Sequence, residues 1–128
     1  MKKYRIELTE EQMRVLEKCT EEYMRLRLGQ VWNFANDLSG VDDPLDFTTE
    51  SGRREFERRI EKRNNIEEVM HAVFRIAFGS FGAPDKKSED CMIAECMWDA
   101  IRFARGTNTW PCVMKIGKEP IPKIERIE

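Results

Sequence analysis

Lys2-Lys3-Tyr4-Arg5-Ile6-Glu7-Leu8-Thr9-Glu10-Glu11-Gln12 changes period in its middle. Tyr4, Ile6 and Leu8 alternate with Arg5 and Glu7, the two-residue period of a half-buried strand. From Thr9 the pattern turns helical. Thr9 with Gln12 three residues later is a capping-box signature, and Glu10 and Glu11 suit the positive end of a helix dipole. The stretch therefore predicts a strand handed directly to a helix, and its first half decides between a mixed fold and an all-helical one.

Working outward, Met13, Leu16, Thr20, Tyr23 and Arg27 follow one face of the helix that begins at Thr9. Gly29 leaves two readings open: the helix passes through it to about Leu38, or breaks there. Residues 39–50 carry Ser-Gly, Asp-Pro and two threonines, the chemistry of a loop. A second helix is predicted from about Ser51, with Asn64-Asn65 as a point of interruption. Its later half shows an apolar stripe of Ile66, Val69, Met70, Val73, Ile76 and Ala77. Gly79 to Lys87 reads as a connector. Ser88 is the expected N-cap of a third helix running to about Arg105, with Gly106 just past its end. Trp110 to Ile116 reads as a strand, and Ile121 to Ile127 as a last short strand or an extended arm. These elements predict an α+β fold: three main helices packed on a small antiparallel sheet formed by the N- and C-terminal strands, in a single domain over residues 1–128. So small a sheet is weak alone, which points to oligomerisation.

A chain of 128 residues with 41% apolar content can bury a real core. Charged residues make up 36% of it, yet the signs nearly cancel to −2. That balance disfavours a nucleic-acid binder, which needs a basic excess, and an acidic nucleic-acid mimic alike. No run of 18 or more apolar residues is present, so no membrane span is expected. Met1 to Arg5 lead into the alternating stretch without a signal-like apolar segment, so the protein is expected to stay where it is made. Cys19, Cys91, Cys96 and Cys112 match no zinc spacing and read as reduced thiols.

Acid–base and nucleophilic chemistry find little support. His71 has only Glu67 and Glu68 nearby and reads as a helix histidine. Neither a nucleophile elbow nor a phosphate-cradling glycine motif occurs, and Gly79-Ser80-Phe81-Gly82 is too short for one. The expectation is a non-enzyme without metal or cofactor. Arg53 to Arg63 holds six basic and three acidic residues. This run reads as a solvated face laced by ion pairs, with Glu57 and Glu61 among Arg53, Arg58 and Lys62, or else as a contact surface. From His71 to Arg105, rings and guanidinium groups recur at helical spacings on either side of the turn: Phe74, Phe78, Phe81, then Trp98, Arg102 and Arg105. Rings stack on a flat base and arginine forks onto phosphate, so this stretch suits a small anionic nucleotide. Phe74 and Phe78 remain open between plain core and pocket wall. The Trp98-Arg102-Arg105 stripe is open between a stacked surface and a wall facing Phe78 and Phe81.

Several pieces taken in order resemble a known family. They are K-Y-R-I-E-L-T-E-E-Q at the start, R-L-R-L-G-Q over Arg25 to Gln30, the aromatic-glycine turn with Pro84-Asp85, M-W-D-A-I-R-F over Met97 to Phe103, and the closing G-K-E-P-I-P-K. The layout is similar to the phage type 1 Thoeris anti-defence proteins, small sponges that sequester cyclic ADP-ribose isomer signals. The Arg53–Arg63 run has no counterpart in the resemblance. It implies tight binding without cleavage, pockets completed in a homodimer or higher homo-oligomer, in some members a separate site for cyclic oligonucleotides, and residence in the bacterial host cytoplasm. By position, it implies Arg25 on phosphate, an aromatic of the Phe78–Phe81 turn on adenine, Asp85 reading a base or ribose, and Arg102 on base or phosphate. Arg105 follows on the same stripe. The other reading is a phage protein-interaction module that inhibits a host defence protein, resting on the Arg53–Arg63 face and Trp110-Pro111.

Overall fold

The computed structural model describes residues 1–79, 88–110, 116–117 and 119–127. Four α-helices carry these residues: α1 (Glu10–Arg27), α2 (Trp32–Ser39), α3 (Glu50–Phe78) and α4 (Glu89–Arg105). No strand occurs among them, which corrects the α+β expectation. Tyr4 and Ile6 are 88% and 70% exposed, so the alternating N-terminal stretch has neither a sheet partner nor a covered face there. Alternation is a local signal, whereas a strand exists only by hydrogen bonding to a neighbour. Of the second predicted strand, residues 111–115 lie outside the described residues, Trp110 is exposed and Ile116 is buried. Ile116 and the half-buried Ile124 pack on Cys96 and Ala100 of α4, beside Met92 and Ile93. The described C-terminal part is thus an arm whose Ile116 and Ile124 complete the α4 core, while Ile121 and Ile127 are exposed.

The chain divides into two compact units, Met1–Met24 with Lys87–Glu128, and Arg25–Lys86. In the first unit α1 begins on a reciprocal capping box. The Thr9 N–H donates to Gln12 Oε1 at 2.9 Å, and the Gln12 N–H donates to Thr9 Oγ1 at 3.2 Å. Ser88 caps α4 by accepting from the Cys91 N–H at 3.2 Å. Its replacement by alanine is expected to cost about 1 kcal/mol, read as a lower urea midpoint with unchanged slope. Cys91, Ala94, Cys96, Ala100 and Ile101 form the buried stripe of α4. The Cys91 thiol donates to the Met24 carbonyl at 3.6 Å, so a buried sulfur reaches across to α1.

In the second unit the helix breaks at Gly29, whose φ of +73° an L side chain rarely adopts. The Gln30 N–H closes back on the Arg25 carbonyl at 2.8 Å, and α2 begins at Trp32. Val31 and Ala35 are fully enclosed, and α2 packs on α3. Asn64-Asn65 does not interrupt α3, which runs 29 residues. Asparagine costs only a few tenths of a kcal/mol within a helix, and the Arg63–Glu67 pair at 3.1 Å spans the spot.

The basic run of α3 has two jobs. Arg54 pairs with Glu50, while Arg58 and Arg59 pair with Glu55, rather than with the Glu57 and Glu61 expected. Arg59 also donates to the Gly40 and Asp43 carbonyls at 3.2 and 3.3 Å, and Arg63 donates to Asn36 Oδ1. Arg53 likewise donates to the Phe47 carbonyl at 3.2 Å, so three of the six cations hold the second unit together.

Candidate functional site

Two of the expected ligand-binding residues meet in the first unit. Arg102 and Arg105 lie one turn apart near the end of α4, so their side chains leave the same face. The Arg102 guanidinium carbon lies 4.5 Å from the centre of the Trp98 ring. At that separation a planar cation is held by the electron-rich face of the indole. Trp98 precedes Arg102 by four residues, so the helix itself sets this register.

Both arginines turn towards one carboxylate, Glu17 of α1. Arg105 Nη1 donates to Glu17 Oε2, and Arg105 Nε donates to Glu10 Oε1 at 2.7 Å. Arg102 Nε stands 3.9 Å from Glu17 Oε1, an ion-pair distance beyond a hydrogen bond. Thr107 Oγ1 lies 3.3 Å from Glu17 Oε1 and 3.2 Å from the Arg102 carbonyl, and its single proton serves one of them at a time. The hydrogen bond that Arg105 donates to Glu10, with Glu17 adding its charge, raises the Arg105 pKa above its ordinary value, so the group is a permanent cation. The result is a seat of two guanidinium groups and a hydroxyl around an anion.

Arg25 and Phe78 belong to the second unit. Arg25 Nη1 donates to Gln30 Oε1 at 2.9 Å, and its guanidinium carbon lies 4.7 Å from the Trp32 ring centre. This is a second cation–indole stack; Arg25 and Gln30 belong to the R-L-R-L-G-Q piece of the resemblance, and Trp32 lies two residues beyond it. Phe78, at the last residue of α3, is half exposed and meets Phe74 at 6.0 Å between ring centres, tilted by 59°. Neither ring is buried, so plain core does not account for the pair. Phe81 and Asp85 lie outside the described residues.

The sequence reading missed Glu17, Thr107 and Trp32. Glu17 carried a usable signal: it sits four residues after Met13 and three before Thr20, on the side of α1 that faces inward. A carboxylate there needs a cation.

His71 behaves as a helix histidine. Its Nε2 is 3.6 Å from Glu67 Oε1, and Glu67 also takes Arg63. No group of three or more potential metal ligands occurs among the described residues. A shallow, largely apolar groove of about 310 Å³ runs along Cys19, Tyr23, Asp90, Ile93 and Met97 in the first unit. No helix among the described residues is long and apolar enough to cross a membrane. Comparison with protein-family models, with characterised proteins and with solved structures gives no match.

Proposed function

We propose that the protein binds and sequesters a cyclic nucleotide signal of the cyclic ADP-ribose class without cleaving it, as a phage anti-defence sponge in the bacterial host cytoplasm. The observation that carries this reading is Arg102 stacked on Trp98 with Arg105 one turn on. A base offers a flat ring and a pyrophosphate offers two charges, and this face carries a matching flat ring and two fixed cations. Arg25 on Trp32 repeats the same chemistry in the second unit. A sponge works by mass action, so free signal falls below its effector's threshold when the protein is abundant and binds at nanomolar strength, about −12 kcal/mol.

Self-association belongs to the same reading. The later half of α3 leaves Val69, Val73 and Ile76 exposed, Ile76 by 87%, in one apolar stripe. Such a stripe on a long helix is a surface for another copy of the chain. Sedimentation velocity with and without nucleotide reads the subunit number.

The deciding experiment adds a cyclic ADP-ribose isomer to the purified protein, removes the unbound fraction, heats the sample and identifies the released molecule by mass. Intact isomer is the expected result. Linear ADP-ribose would make the protein an enzyme, and no retention at all would end the proposal.

A second reading, an inhibitor that docks on a host defence protein, is favoured by one observation. Trp110 is 77% exposed, and large exposed aromatics are frequent anchors of protein interfaces. One stoichiometric host protein retained on the immobilised chain, with no bound nucleotide, would support this second reading.

A further inference from the structure

The seat formed by Arg102, Arg105 and Thr107 is already filled by a carboxylate from the same chain. Glu17 is the only one of these four residues outside the α4 terminus, and it reaches the others from α1. We propose that Glu17 is an internal competitor: it holds the anion seat in the free protein and yields it to the phosphate groups of an arriving ligand. This rests on the nucleotide reading above and names how that site selects what it binds.

A tethered carboxylate is a demanding rival. It is present at the high effective concentration of an intramolecular partner, so a solute carrying one carboxylate gains little by exchanging with it. The negative end of the α4 dipole lies close by and disfavours every anion, so the attraction must come from the two guanidinium groups. A pyrophosphate differs in kind. It brings at least two charges and several acceptor oxygens, and can fork onto both guanidinium groups together, where Glu17 reaches Arg102 only at 3.9 Å. Arg105 stays aligned during the exchange because Glu10, from the first turn of α1, holds its Nε independently. Trp98 likewise holds Arg102. Departure of Glu17 thus leaves a formed seat. Glu17 sets a charge threshold that pyrophosphates cross and carboxylates do not.

Calorimetry of the whole protein and its Glu17→Gln variant, with inorganic pyrophosphate and with a cyclic ADP-ribose isomer as probes, tests this. Glutamine keeps the shape and removes the charge. Both probes should bind the variant about tenfold more tightly or better, and acetate should begin to bind. Equal or weaker pyrophosphate binding by a folded variant overturns the proposal. A wild-type measurement guards against a variant that fails to fold: saturating pyrophosphate should shift the Arg102 and Arg105 Nε resonances, and unmoved resonances overturn the proposal too. Tighter pyrophosphate binding with no isomer bound by either form would keep the seat and remove the nucleotide reading. Equal isomer binding by both forms would keep that reading and remove the competitor.

Discussion

Replacing Arg102 with alanine is expected to weaken binding of a cyclic ADP-ribose isomer by about 2 kcal/mol or more, roughly thirtyfold. The variant loses a cation that is stacked on Trp98 and one of the two that line the anion seat. Lysine in its place should recover only part of the loss. It restores the charge but neither the planar stack nor the two-pronged fork. Structure should survive, because the Arg102 side chain is about one-third exposed and α4 keeps its buried stripe and its cap. Calorimetry gives the affinity and circular dichroism the control. Unchanged affinity in the alanine variant would remove Arg102 from the site.

The second large effect falls on stability. Gly52→Ala would place a Cβ 1.7 Å from the Asp46 carbonyl oxygen and 2.7 Å from its carbon. Both are backbone atoms, and the loop that carries them is pinned. Thr49 accepts from the Gly52 N–H at 3.0 Å and donates to the Asp46 carbonyl at 3.2 Å, while Thr48 binds the Asp46 carboxylate through its N–H and hydroxyl. Two effects oppose each other. Alanine in a helix gains up to about 1 kcal/mol over glycine, but overpacking against backbone costs about 1–3 kcal/mol and occasionally more. A separation of 1.7 Å puts the clash at the severe end, so the variant should be less stable by about 2 kcal/mol. Urea denaturation decides the sign, and a gain in stability would show that α3 does not start against Asp46.

The helix ends were legible in the sequence because capping is local chemistry. Thr9 with Gln12 and Ser88 each act within three residues of themselves. The sheet was misread for the opposite reason. Tyr4, Ile6 and Leu8 have the right alternation, but pairing depends on residues elsewhere, and Ile116 and Ile124 serve α4 instead. Within the site, the Trp98–Arg102 stack could be read from a four-residue spacing. The Arg25–Trp32 stack depends on the helix break at Gly29, and the Glu17 seat joins two helices far apart in the chain. No periodicity reports such distant partners.

The unit that holds the anion seat is discontinuous in sequence: its two segments, Met1–Met24 and Lys87–Glu128, are separated by the contiguous Arg25–Lys86 unit. On the ribosome, α1 emerges before α4, and several seconds pass before Arg102 and Arg105 follow it at common synthesis rates of about 5–20 residues per second. Through that interval Glu17 has no contact with the α4 arginines, and the Arg25–Lys86 unit can finish first. Nascent chains therefore acquire the seat only after the whole Arg25–Lys86 unit has been made, and a product stalled or clipped before α4 would carry that unit with no seat to offer.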